Sequence, residues 1–409
     1  MHNSYRTISS LTQNRFDKYL ILLILSLGMG NIGSPLLLSR VLAVVFLPSL
    51  FIRLGNCNYT KPIRQFFIFL IVFCVCSLAW TFNFTEGCKA IVYNILHFAL
   101  FSEIIVFSRY ANNPLRSISQ GWMFVVLLLS VISIWEITTG NHLSIAYEDT
   151  QSINVDGVIS TRMIANGTFA NYNGFVTFLC FALPWIFYHM SITFKEKLIY
   201  ILSVVTLLLA ILTVFIDGSR GGLFAVITVV TIYIFLKPKG KASYVTFVLF
   251  IGALIFMIFQ YGEQIFFVLS VKGDRQGLTS DSSRIEIWSA CLKALVRTFG
   301  LGSGIGGVSG AIESVSKSVI NVPHNMILEA FLEYGLIIGI TFIVFIGKLL
   351  KRGYKLIDRN RRMAVMMAIL SMPFYCIINS LYLKGPETFA LFATIFVFVN
   401  YERIRPVCK

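Results

Sequence analysis

The sequence predicts an all-α integral membrane protein of about twelve transmembrane helices, with a long outward loop carrying an amphipathic helix between spans nine and ten. Three observations predict it. Of 409 residues, 56% are hydrophobic and 13% charged, and the mean hydropathy is +0.78. A soluble chain would be about a quarter charged. Most apolar runs reach the ~20 residues that a ~30 Å hydrocarbon core requires. Lysine and arginine, finally, gather between alternate runs.

The spans read, in order, 18–33, 35–52, 65–82, 89–108, 121–139, 168–190, 197–216, 220–236, 243–261, 324–347, 363–382 and 386–401. The first, second and eighth are short for a crossing. Basic residues precede the first span, as in a signal peptide, but no A-x-A cleavage site follows, so it is expected to stay as an anchor. "KLLKRGYKLIDRNRR" (348–362) is the strongest inside signal and "KPKGK" (237–241) the next, which puts both termini inside. The net charge of +15 is therefore a topology signal and not a nucleic-acid site. The organisation is 1–261 for spans one to nine, 262–323 for the long outward loop, and 324–409 for spans ten to twelve and an inside tail. Residues 140–167 form the other long connection. There is no fixed-period repeat and no low-complexity tract.

The long loop is organised. "SDSSRIEIWSACLKALVRTF" (280–299) sets Ile285, Trp288, Leu292, Leu295 and Phe299 along one helical stripe. Ser283 and Glu286 form an S-x-x-E capping box, so the helix should open at Arg284. It should end in "FGLGSGIGGVSG" (299–310) and lie at the outer membrane surface, with Arg284, Lys293 and Arg297 off the stripe.

Arg284 at a helix start either pairs with Asp281 or Glu286, or joins free backbone N–H groups in holding an anion such as phosphate. Arg220 lies in "DGSRGG" (217–222), outward and against the basic bias. It either pairs with Asp217 or faces an outward cavity in which Gly218, Gly221 and Gly222 leave room for a bulky ligand. His324 opens span ten, with Pro323 in the first turn and Asn321 as cap. There it is either a hydrogen-bonded structural residue or a wetted group titrating near neutrality. Asn325, Glu329 and Glu333 follow at spacings of four, on one face. A carboxylate at the bilayer centre costs ~2.5–3.5 kcal/mol, so Glu333 should face the protein interior or a wet cavity. "GLIIG" (335–339) has the small-xxx-small spacing of close helix packing.

Other signals are set aside. "GLGSGIGG" follows a helix and lacks G-K-[ST], so it is no ATP loop. The eight cysteines hold no C-x-x-C pair, and neither zinc nor a disulfide framework is expected. No H-E-x-x-H, G-x-S-x-G or acidic metal cluster is present.

Four stretches in order then resemble one family: "TFANYNGF" (168–175), "GSRGGLFA" (218–225), "SSRIEIWSACLKAL" leading to "GLGSGIGG", and "PHNMILEAFLEYGLIIG" (323–339). Over roughly 165–345 the chain resembles the O-antigen ligase/polymerase family of bacterial inner-membrane glycosyltransferases. The resemblance implies a polyprenyl-diphosphate-linked glycan as donor, used on the periplasmic side. Arg220 and Arg284 would hold the diphosphate and His324 would activate the acceptor hydroxyl. Asn173, Asn325, Glu329 and Glu333 would contact substrate. It implies inversion at the sugar, no metal and no cofactor. The acceptor would be lipid A-core for a ligase or another lipid-linked glycan for a polymerase, and other membrane proteins of polysaccharide assembly would be partners. Val322 stands where ligases of this type often carry a second histidine, and the flanking residues also resemble polymerases, so both activities stand. The alternative from another class is a transporter of small anions or solutes. That reading expects inverted repeats and paired broken helices, neither of which the sequence displays.

Overall fold

The computed structural model describes residues 2–29, 37–54, 61–145, 150–155, 158–236, 252, 280–316, 322–379 and 382–404. Its helices are α1 (His2–Leu27), α2 (Leu38–Leu54), α3 (Lys61–Ser77), α4 (Phe84–Tyr110), α5 (Pro114–Thr139), α6 (Tyr172–Ile192), α7 (Lys197–Ile216) and α8 (Arg220–Leu236). After the undescribed stretch come α9 (Ser280–Arg297), α10 (Val308–Glu313), α11 (Met326–Tyr354), α12 (Arg359–Leu370), α13 (Met372–Tyr375) and α14 (Pro386–Ile404). The ninth expected span, 243–261, and the first part of the long loop lie outside the described residues.

Helices dominate, as the hydropathy demands. Among the described residues, α4, α5, α6, α7 and α11 are long and apolar enough to cross a membrane, and α8 is apolar but shorter. One departure from the all-α expectation lies in the 140–167 connection, where Thr150–Val155 (β1) and Val158–Met163 (β2) pair as an antiparallel hairpin. Half of the β2 residues, Val158, Ile159 and Thr161, are β-branched, which suits an extended chain.

The core forms around α6, which is buried along nearly its whole length among α5, α7, α8 and α12. Trp122, Phe175, Phe178, Phe181, Trp185, Tyr375 and Phe398 fill it completely. A second group sets α4 against α1, α2 and α14. Outer faces stay apolar, with Val44, Val45, Ile52, Leu198 and Phe235 exposed, as lipid contact requires.

Several expected spans are not continuous helices among the described residues, and α14 is kinked at Asn400 (φ −109°, ψ 22°). Span eleven, read as 363–382, breaks into α12, α13 and a 3₁₀ turn at Tyr382–Lys384. Pro373 lacks the amide that would continue the ladder. Helix α11 is interrupted at Gly335, which has φ +81° and ψ 177°. "GLIIG" therefore marks a break and not the helix-packing seam expected of it.

Candidate functional site

Helix α9 begins at Ser280, a turn ahead of the expected start, so Arg284 sits in its second turn and not at its first position. The proposed capping-box serine has a side chain outside the described residues. The buried stripe is also rotated from the expected one. Ile287, Ala290, Cys291 and Ala294 pack with Val308, Ala311 and Ile312 of α10 and with Leu332 of α11. Of the expected stripe, only Leu295 is buried. Ile285, Leu292 and Phe299 are exposed, together with Val296. The helix thus has two apolar sides, one seated on protein and one facing outward. The outer side is continued by exposed Leu301 and by Leu336 and Ile337 of α11, a surface suited to lipid.

This seat brings Arg284 to His324. One turn beyond Arg284, the Trp288 indole Nε1–H donates to the Pro323 carbonyl oxygen at 2.9 Å. His324 follows in the turn ahead of α11, half-buried, with a left-handed φ of +47°. Histidine enters that region more readily than most residues, though still uncommonly. Its Nδ1 is buried and has no hydrogen-bond partner among the described residues. Burial, and then the nearby Arg284 guanidinium, push its pKa down to about 4. The imidazole is therefore neutral at physiological pH.

The cap of α11 is Asn325, not Asn321, which lies outside the described residues. Asn325 Oδ1 accepts from the amides of Ile327 (3.0 Å) and Leu328 (3.1 Å). Pro323 accordingly precedes the helix instead of entering its first turn. Glu329 is buried, and its two oxygens accept from Tyr382 N (3.2 Å) and Leu383 N (3.3 Å), capping the 3₁₀ turn. Glu333 is buried too, and its Oε1 accepts from Gly306 N at 2.8 Å. These three side chains, expected at the substrate, hold backbone.

Around Gly335 the glycine-rich segment after α9 fills the interruption. Leu336 N donates to Gly300 O (2.8 Å) and Ser303 N to Leu332 O (2.6 Å). A Cβ on Gly302 would lie 2.6 Å from Gly335 N, so only glycine permits the approach. The segment is also fastened to the α3–α4 corner: Ile305 N donates to Ser77 Oγ (3.0 Å), and Thr81 Oγ1 to Ile305 O (2.7 Å).

Arg220 is the first residue of α8 and is half-buried. Gly221 and Gly222 do not open the ligand space that the cavity reading of Arg220 expected. A Cβ on Gly221 would lie 2.9 Å from Phe374 O, and one on Gly222 would lie 2.6 Å from Val176 Cγ1. They seat α8 against α6 and the α13 segment. That segment also meets the histidine turn, because Cys376 O accepts from Met326 N at 3.0 Å. Gly221, beside Arg220, and Met326, two residues after His324, thus both meet one short stretch, residues 374–376. Asn173 lies half-buried in the first turn of α6, next to Gly174, whose Cβ position is 3.2 Å from the Asn379 amide.

The sequence reading missed a further polar cluster close to Arg220. Glu136 Oε2 accepts from Asn166 N (2.9 Å) and Gly167 N (2.7 Å), and its Oε1 lies 3.1 Å from His142 Nδ1. Asp217 Oδ1 accepts from Ala165 N (2.8 Å). A carboxylate inside the apolar run 121–139 was the available signal.

An apolar groove of about 330 Å³ runs along α11 between α3, α4 and α14. Phe67, Phe98, Phe101, Phe342, Phe345 and Phe389 are in its wall. Its lining on α11 reaches from Ala330 to Lys348, across the Gly335 break. None of Arg220, Arg284 or His324 lines it; the polar site and the groove are separate features that share α11.

Comparison with known proteins covers this region. A family model described as O-antigen ligase matches residues 205–344, which contain Arg220, Arg284 and His324. The chain is also 24% identical over 315 residues to the teichuronic acid biosynthesis protein TuaE of Bacillus subtilis (strain 168). That match covers 73% of this chain and 62% of the relative, so the chain spans less than two thirds of the relative's length. These two matches support the O-antigen ligase/polymerase family for this chain, the same family that its four motifs resemble.

Proposed function

We propose that the chain is a membrane glycosyltransferase that moves a glycan from a polyprenyl diphosphate carrier to an acceptor hydroxyl. It would act as O-antigen ligase or as O-antigen or exopolysaccharide polymerase. The reaction would occur at the outer face of the cytoplasmic membrane, in a chain of about twelve spans with both termini inside. The observation that carries this reading is the pairing of Arg284 with His324, a guanidinium beside a neutral imidazole at the start of a membrane helix.

The chemistry follows from the leaving group. As the sugar–oxygen bond breaks, negative charge grows on the diphosphate, and fixed cations that meet it lower the barrier. Each such donor contributes ~10²–10³ in rate. Arg284 and Arg220 fill this role, with Asn173 at the edge of the same end of the bundle. His324 takes the acceptor hydroxyl proton, a contribution of ~10²–10⁴. The acceptor oxygen bonds the anomeric carbon from the face opposite the diphosphate, so the configuration inverts. This scheme routes no step through a metal or nucleotide.

Low basicity in the free protein fits this scheme. Burial, and then the charge on Arg284, disfavour a proton on His324. When the guanidinium is paired with diphosphate that repulsion is offset, so the base strengthens once the donor is bound. The groove along α11 offers the carrier's apolar tail a phenylalanine-rich wall.

The transporter alternative predicts a cavity at paired helix breaks. Several helices are interrupted among the described residues, but protein backbone fills the α11 break and satisfies its exposed groups. The name of the relative, biosynthesis of teichuronic acid, also lies with polysaccharide assembly.

The test is deletion of the gene followed by gel analysis of surface polysaccharide. Single-repeat glycan identifies a polymerase, and bare lipid A-core with polymer stranded on its carrier identifies a ligase. Unchanged polysaccharide refutes both.

A further inference from the structure

Glu333 is a buried carboxylate that the proposed chemistry does not use. Its position is specific: two residues ahead of the Gly335 break, with Oε1 on the amide of Gly306. Gly306 belongs to the strap, residues 299–307, that leaves the C-terminal end of α9 and enters the break. That strap is the direct covalent continuation of the helix bearing Arg284.

Helix α9 is seated on α10 and α11 through Ile287, Ala290, Cys291 and Ala294. Its Arg297 guanidinium donates to Ser314 O at 3.1 Å, and two further pins fix it near His324 and at its C-terminal end. One pin is Trp288 on Pro323 O, next to His324. The other is the strap, held by Leu336 N on Gly300 O, Ser303 N on Leu332 O, Thr81 on Ile305 O and Glu333 on Gly306 N. From Trp288 back to Arg284 is ~6 Å of rise, and from Trp288 on to Arg297 is ~14 Å. A rigid rod pivoting at Trp288 therefore passes roughly half of any slip at the strap to Arg284, in the opposite direction. A misplacement of ~1 Å at a reacting group is enough to cost about 100-fold in rate.

We propose that Glu333 is a positioning residue: as hydrogen-bond acceptor for Gly306 it locks the strap into the α11 break and so holds Arg284 against His324. The inference rests on the glycosyltransferase reading. What the geometry requires of Glu333 is an oxygen at the right reach, not a charge and not a proton site. Glutamine supplies the oxygen; alanine leaves the Gly306 amide buried without it.

The experiment uses the full-length protein in membranes of a strain lacking the gene, with that strain's own lipid-linked glycan as substrate. The initial rate of polymer or ligated product is measured per amount of membrane-inserted protein. E333Q is expected to run within about threefold of wild type. E333A should be about 10- to 100-fold slower, in kcat more than in KM for the lipid-linked glycan. A purely structural role would instead lower the amount of inserted protein and leave its kcat intact. E333Q as slow as E333A, with both inserted normally, would mean that the carboxylate acts by charge or proton transfer and would overturn the proposal. E333A at the wild-type rate would overturn it too. If E333A fails to insert, T81V removes a different fastener of the same strap: a lowered kcat supports the proposal and a wild-type rate overturns it. H324A in parallel separates the two readings, because wild-type turnover in H324A defeats the glycosyltransferase mechanism itself and not the role of Glu333.

Discussion

The Trp288 indole donates to the carbonyl oxygen of Pro323 at 2.9 Å, joining the helix that carries Arg284 to the turn that carries His324. Thirty-five positions separate Trp288 from Pro323 in sequence, and in the proposed mechanism the bond sets how the guanidinium and the imidazole face each other. W288F keeps the ring and loses the donor. It should insert normally and turn over about tenfold more slowly, since the loss is one of alignment. Equal rates for W288F and wild type, per inserted protein, would show that this bond does not set the geometry.

The charge on Arg284 should be visible in the pH dependence. In the proposed mechanism His324 works unprotonated, and burial followed by Arg284 lowers its pKa to about 4. Activity therefore persists down through mildly acidic pH and is lost as pH falls through about 4. R284Q removes the second of the two causes, so its residual activity should fall at a higher pH than wild type. R284K keeps the charge and should keep the acid limb where it is, although it loses the fork that grips a phosphate. In the wild type, the limb in kcat should lie above that in kcat/KM, because the bound diphosphate offsets the guanidinium.

Gly335 should tolerate no side chain. Its φ of +81° with ψ 177° belongs to glycine, and a Cβ there would lie 2.6 Å from Gly300 O. Backbone held in such a region costs roughly 1–3 kcal/mol for other residues. G335A should lower the unfolding temperature in detergent and expose the 299–307 strap to protease. Gly347, on the same helix with open space around it, is the control and should accept alanine.

The outward side of α9 should be seated in lipid. Phe299 is 94% exposed in the protein alone and Val296 is 76% exposed. Burying a side chain of this size in an apolar phase is worth about 1.5–3 kcal/mol. A spin label at Val296 should show the collision signature of hydrocarbon, with strong oxygen and weak nickel-complex broadening, and F299D should reduce turnover. A fully aqueous signature at Val296 would place α9 away from the bilayer.

Much of the frame was legible because hydrophobic runs obey a physical length, and most of the expected spans in the described residues appear as helices. What the runs did not display was interruption. Pro373 and Gly335 sit in stretches as apolar as their neighbours, and hydropathy averages over both. The amphipathic helix was legible, but its buried face was not. Ile285, Leu292 and Phe299 look like core residues in a soluble helix, whereas Ile287, Ala290, Cys291, Ala294 and Leu295 take the protein contact and Ile285, Leu292, Val296 and Phe299 turn outward.

The site divided along similar lines. Arg284 and His324 stood out because charge at a membrane face is costly, and the fold brings them together. Asn325, Glu329 and Glu333 stood out for the same reason, yet their oxygens hold the Ile327, Tyr382 and Gly306 amides. Sequence spacing reveals that a buried polar group has a partner; whether that partner is a ligand or an unpaired backbone N–H of a distant loop depends on contacts no spacing encodes. Glu136 and His142 escaped notice because their partners, Asn166 and Gly167, lie in a separate turn of the long 140–167 connection.

The most direct test of the account is single-turnover transfer by purified protein in lipid nanodiscs, with polyprenyl-diphosphate-linked glycan, EDTA and no nucleotide. The account predicts product from the wild type and a fall of about 100-fold or more in H324A and R284A alike. Transfer by H324A at the wild-type rate, or a strict need for metal or nucleotide, would contradict it.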